Sequence, residues 1–119
     1  QKDITFHSLC EHHLVNFNGM AQVAYIPNGH VIGLSKLNRI VNYFARRPQV
    51  QERMTEQIFY ALEYILGTHN IAVLVQAEHL CVKSRGIGDQ NSGMTTSKLG
   101  GHFFDKHSVR SEFMSLATS

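Results

Sequence analysis

Two short stretches, distant in the chain, carry side chains able to hold one metal ion. They are Cys10-Glu11-His12-His13 near the start and His79-Leu80-Cys81 well toward the end. Cys10 and His13 are close enough for one tight turn to present both to a single ion. Joined by Cys81 they make two thiolates and one imidazole, a set that favours zinc and leaves a fourth tetrahedral position open. Three protein donors plus water is the arrangement of a catalytic zinc, whereas a structural zinc is usually closed by four. His12 and His79 then sit beside the metal without being needed as ligands, and imidazole is the side chain that exchanges protons near neutral pH. Two cysteines also suit an ordinary disulfide or two unrelated buried thiols, and eight histidines in 119 residues make some proximity inevitable. A disulfide, however, explains neither the His-His pair nor His79, and alternation along a strand turns His79 and Cys81 to the same face.

A second set is built for anions. Ser35 falls at the start of a predicted helix, where free backbone N–H groups and the dipole favour negative charge. Lys36 and Arg39 lie on the side of that helix away from its apolar stripe, together with Tyr43, Arg46 and Arg47. Ser35, Lys36 and Arg39 together suit a phosphate chain; the plainer reading of the stripe is a solvated helix face, and Arg46 and Arg47 are left to it. Glu52, just inside a second helix and next to Gln51, is either a helix N-terminal charge or the carboxylate partner of a guanine N–H edge, with Gln51 adding polar contacts. Arg85, in a glycine-rich segment, is a further phosphate or carbonyl partner.

The elements that must position these residues follow from periodicity. Residues 3–8 and 20–26 alternate as strands, with Asn16–Gly19 as the turn between them and the Cys-Glu-His-His element at the turn-proximal end of the hairpin. A helix opens at Gly33-Leu34-Ser35, with Leu34, Leu37, Ile40, Val41 and Phe44 at core spacing. Pro48 suits the first turn of a second helix, which turns Val50, Met54, Ile58, Ala61, Leu62, Ile65 and Leu66 inward and stops at Gly67. Residues 71–81 are rich in β-branched side chains and read as a strand. Residues 85–101 read as a loop or second hairpin, and 110–116 as a closing strand. The order is ββααββ, an α+β layer pair with two helices on one face of a four-stranded sheet. Exposed sheet edges invite pairing between subunits, so an obligate oligomer is expected.

The 119 residues form one expected domain, 1–119, with 43% apolar residues and no Trp, enough for a core but small for a self-sufficient enzyme. No apolar run approaches a membrane span and no signal peptide is visible, so no membrane partner is expected. The net charge of +2 is too small to imply nucleic acid. Two cysteines are too few for a disulfide scaffold, which points to a reducing, cytoplasmic setting. The chain starts at Gln1 rather than Met, consistent with a preceding segment removed or left out.

The motifs C-E-H-H-L-V, A-Y-I-P, V-I-G-L-S-K-L-N-R-I-V, R-P-Q-V-Q-E-R-M-T, H-L-C-V-K-S-R-G-I and T-T-S-K-L-G-G, in this order, resemble zinc-dependent GTP cyclohydrolase I, most nearly its bacterial branch, over essentially the whole chain. The family's N-terminal helical region would precede Gln1. The resemblance implies a tunnelling fold whose subunits join into a barrel-like ring, two stacked pentameric rings making a homodecamer with active sites where subunits meet. It implies hydrolysis of GTP to formate and 7,8-dihydroneopterin triphosphate, a step toward folate and related pterins. Carried over by position, it makes Cys10, His13 and Cys81 the ligands of one zinc per subunit and His12 and His79 the acid–base pair. Ser35, Lys36, Arg39 and Arg85 would take the ribose and triphosphate, with Ser35 also aiding proton transfer, while Gln51 and Glu52 anchor the purine. The competing readings are a related tunnelling-fold enzyme of deazapurine metabolism, such as a nitrile reductase using a cysteine nucleophile and a nicotinamide, and a non-catalytic purine- or pterin-binding ring. Cys10 and Cys81 together with His13 argue against the first, and both His12 and His79 against the second.

Overall fold

A computed structural model describes residues 1–10, 16–79 and 93–119, with Cys10 and His79 given by their backbone. The chain order is β1 (Ile4–Cys10), β2 (Asn16–Tyr25), α1 (Leu34–Ala45), β3 (Pro48–Gln49), α2 (Gln51–Leu66), β4 (Ile71–His79), β5 (Gly93–Leu99), α3 (His102–Asp105) and α4 (His107–Ala117). The strands form one mixed sheet in the order β3-β1-β2-β4-β5. All its pairs are antiparallel except β1 with β3, which is parallel.

Alternation decides the two faces of the sheet. Ile4 and Phe6 of β1, Ala21 and Val23 of β2, and Ile71, Val73 and Val75 of β4 pack with Phe17 under the helices. There they meet Leu37, Val41 and Ala45 of α1 and Met54, Ile58, Leu62 and Leu66 of α2. Phe6 and Phe17 meet edge to face at 5.9 Å, a geometry aromatic pairs favour. The intervening residues Ala72 and Leu74 face the other way, onto Phe103, Phe113 and Ala117 of α3 and α4. The anticipated α+β layering therefore holds, and the second face of the sheet is partly covered by the chain's own last helices.

Five local expectations are corrected. Asn16–Gly19 is not a turn but the first part of β2, paired with both neighbours; Gly19 is there because β4 comes too close for a side chain. Pro48 begins no helix: with Gln49 it forms β3 against Leu9 and Cys10, and α2 starts only after the extended residue Val50. Residues 110–116 lie in helix α4, where Val109, Phe113 and Ala117 recur at helical spacing onto the sheet. The sheet has five strands rather than four, and ββααββ becomes ββαβαββαα. Leu34 is 64% exposed and Ile65 40%, the inward positions of α2 being taken by Thr55 and Phe59 instead. Gly67 does end α2, in the left-handed conformation at φ 64° with its N–H on Glu63 O, as helix ends require. Residues 93–99 form strand β5, antiparallel to β4; residues 85–92 of the segment expected as a loop or second hairpin lie outside the described residues.

At the opposite end of the sheet the chain's termini meet. The Gln1 backbone nitrogen donates to Val23 O at 2.9 Å, and Lys2 Nζ donates to Ser119 O and Oγ at 3.2 and 3.1 Å.

Candidate active site

Strand register brings Cys10 and His79, one residue from each metal-type stretch, to one end of the sheet. Leu9 stands opposite Asn16, Phe17 opposite His79, and Cys10 opposite Gln49. Cys10 thus closes β1 and His79 closes β4 at the same end, with β2 alone between them, about 10 Å from strand to strand. The register is held by burial: Phe17 is fully enclosed against Phe6, and slipping β2 by one residue would turn that side chain to solvent. His12, His13, Cys81 and Arg85 lie outside the described residues. Among the described residues no three His, Cys, Asp or Glu side chains come together as a metal site.

The start of α2 is tied to this same region. Gln51 is 1% exposed, and its Nε2 donates to Val75 O of β4 at 3.1 Å and Met94 O of β5 at 3.0 Å. Since Gln49 pairs with β1 only two residues earlier, the sheet must curl for Gln51 to reach β4 and β5. Expected as a purine contact, Gln51 is here a bracket between helix and sheet, with its amide nitrogen directed inward. Glu52 is exposed in the first turn of α2, where the helix dipole favours a carboxylate.

The anion-type residues lie elsewhere in the subunit. Ser35, Lys36 and Arg39 are all exposed near the start of α1, whose first turn has no side-chain cap. That start follows β2's far end, where Ile32 N–H donates to Tyr25 Oη at 3.0 Å. The helix then runs back about 18 Å at 1.5 Å per residue, and its last residues lead into β3 beside Cys10. Ser35, Lys36 and Arg39 therefore stand at one end of α1 and the strand end at Cys10 at the other. Arg47 stacks its guanidinium on Tyr43 at 5.1 Å, in keeping with a solvated face. Arg46, assigned to the same face, instead lines a polar cleft of about 280 Å³ at the Cys10 end, with His7, Asn16 and Asn18; no pattern in the sequence singles it out.

Two hydroxyls also escape sequence reasoning. Thr96 Oγ1 accepts from Gln51 Nε2 at 3.2 Å and lies 2.7 Å from Thr55 Oγ1, which donates to Gln51 O at 2.9 Å. Thr55 and Thr96 are far apart in sequence, and only the docking of α2 on β5 joins them.

The family model described as GTP cyclohydrolase I matches residues 1–118. The chain is 58% identical to GTP cyclohydrolase 1 of Salmonella gallinarum over 113 residues, covering 95% of this chain and 51% of that protein. It is 56% identical to the Aeromonas hydrophila protein of the same name, covering 95% and 52%, and 58% identical to that of Yersinia enterocolitica, covering 95% and 51%. The chain thus spans about half the length of the curated relatives it matches. The motifs, the α+β sheet that gathers Cys10 and His79, and a family match running almost from end to end agree: the chain belongs to the GTP cyclohydrolase I family.

Proposed function

We infer that residues 1–119 act as a single catalytic domain that hydrolyses GTP at C8 of guanine, releasing formate and forming 7,8-dihydroneopterin triphosphate. The observation that carries this reading is the register that closes β1 at Cys10 and β4 at His79 at one end of the sheet, near the start of α2 and Glu52. Cys10, His13 and Cys81 are the residues that would hold one zinc per subunit, and two thiolates with one imidazole suit that ion. When bound, zinc supplies Lewis acidity that activates water for attack at neutral pH.

The rest of the chemistry falls to the chain's side chains. C8 of guanine is a poor electrophile, so N7 has to gain a proton as the ring opens. His12 and His79 carry that proton, a contribution of roughly 10²–10⁴-fold. After formate leaves, the ribose rearranges and its carbonyl condenses with the amine freed at the former N7, releasing water, with the same imidazoles and Ser35 moving protons at its oxygens. Glu52 accepts from the N1–H and 2-amino groups of guanine, and Gln51 completes the purine anchor from its position beside Glu52. Ser35, Lys36, Arg39 and Arg85 hold the ribose and triphosphate.

Ser35, Lys36 and Arg39 stand at the end of α1 away from Cys10, and on this reading the complete site is formed where subunits meet, in a homodecamer of two stacked pentameric rings. Among the described residues no strand pairs with the outer edge of β5, and Leu34, Phe104 and Leu116 are each about 60% exposed; these surfaces suit contacts between subunits. Among the described residues no helix is long and apolar enough to cross a membrane; the cytoplasmic setting proposed for the enzyme rests on its two cysteines, too few for a disulfide scaffold.

The test is zinc content together with formate release and pterin fluorescence from GTP, on the purified protein with any flanking chain left in place. About one zinc per chain with both products is expected. Zinc with GTP binding but no product would favour the non-catalytic ring, and product formed without metal would overturn the ligand assignment.

A further inference from the structure

The Gln51 amide sits in a setting that dictates which way round it lies. Its inward atom faces Val75 O and Met94 O, and carbonyl oxygens only accept, so that atom is the nitrogen. The amide's two protons face three acceptors, so one of them is shared with Thr96 Oγ1; the Thr55 proton goes to Gln51 O, and Thr96 therefore donates its own to Thr55 Oγ1. The result is a closed ring with a single donor-to-acceptor sense that leaves Gln51 by its side chain and returns to its main chain. The carbonyl at which it ends belongs to the peptide bond joining Gln51 to Glu52. Thr55 is 1% exposed, and a hydroxyl bonding back to the carbonyl four residues earlier gains a helix little by itself. The reason for placing one here is the contact across to β5.

Resting on the functional reading above, we propose that the Thr55–Thr96 hydroxyl pair is a positioning device for guanine selectivity, holding the Gln51 amide and the Gln51–Glu52 peptide so that the Glu52 carboxylate meets the purine's N–H edge. Neither threonine touches the substrate. The class of substrate they select is a purine nucleoside triphosphate with a 2-amino group, over its hypoxanthine counterpart.

Thr96→Val keeps the shape and removes the hydroxyl; Thr96→Ser keeps the hydroxyl. Loss of one buried hydrogen bond of about 1 kcal/mol corresponds to roughly fivefold in affinity. For Thr96→Val the expected result is a KM for GTP raised about fivefold with kcat changed less, zinc content unchanged, and the preference for GTP over inosine triphosphate narrowed. Thr96→Ser should restore both. Thr55→Val breaks the ring one bond further on and should move the same ratio in the same direction, which keeps the test open if Thr96→Val folds poorly. A lowered Tm with an unchanged GTP-to-inosine-triphosphate ratio in these variants would make the ring purely structural and overturn the proposal. A parent protein that neither binds nor turns over GTP would instead overturn the functional reading, and this inference with it.

Discussion

Gly19 is the position where one added methyl group should do most harm. It lies in β2, between Phe6 of β1 and Ala77 of β4, at the centre of the sheet. A Cβ there would collide with Gln76 O and come within 2.8 Å of both Cα and Cβ of Ala77, where ordinary contact starts near 3.4 Å. The obstructing atoms are mostly backbone, so β2 and β4 would have to separate by roughly half an ångström or more. Overpacking of this kind costs about 1–3 kcal/mol, and ladder hydrogen bonds stretched by the separation add about 0.5–1.5 kcal/mol each. Gly19→Ala should therefore lose about 2–5 kcal/mol, or roughly 8–20 °C in Tm at about 4 °C per kcal/mol for a chain of this size. Thermal unfolding followed by far-ultraviolet circular dichroism reads it directly. Gly33→Ala is the control: nothing lies within 4 Å of its Cβ position and its φ is −69°, so the loss should stay within about 1 kcal/mol, the cost of a poorer helix cap. Equal Tm values for Gly19→Ala and its parent would show that the two strands yield without cost, and the packing argument would fail.

Gly67→Ala should lose about 1 kcal/mol, seen as a lower denaturant midpoint at constant slope, because the left-handed C-cap at φ 64° rather than any contact excludes a side chain. Phe113→Ala empties the small core beneath α4 and breaks the 5.8 Å edge contact with Phe103; a loss of about 3–5 kcal/mol is expected, with hydrogen exchange quickening over residues 107–117 before the main core. On the composite-site reading, Arg39→Ala and Cys81→Ala chains, each inactive alone, should regain partial GTP turnover when co-expressed, because a mixed assembly can join one intact half-site from each. Absence of any regain in verified mixed oligomers would place both halves within one subunit.

Residue types and local periods carried much of this fold. Leu37 and Val41 mark the buried stripe of α1, and Gly67 marks the end of α2, because both depend on interactions within a few residues. What escaped depends on distant partners. Asn16 and Gly19 have turn chemistry, yet Gly19 is needed because β4 presses against it. Phe113 in a short apolar run suits strand or helix alike, and what decides is the uncovered face of Ala72 and Leu74. The two-residue strand at Pro48 exists only because β1 passes beside it. For the candidate site, the Cys10 and His79 stretches were readable from donor chemistry. The separation of Ser35, Lys36 and Arg39 from them required the direction of α1, and the Thr55–Thr96 pair required a helix docked on β5.

The contact of Lys2 with Ser119 holds the approach to β1 and the exit from α4 at one corner of the fold. The Cys10–His79 end of the sheet lies the full length of β1 away, about 20 Å at the rise of a strand. Anything joined to Gln1 or Ser119, further chain included, would leave from that shared corner and stay clear of the chemistry, at the level of a single subunit.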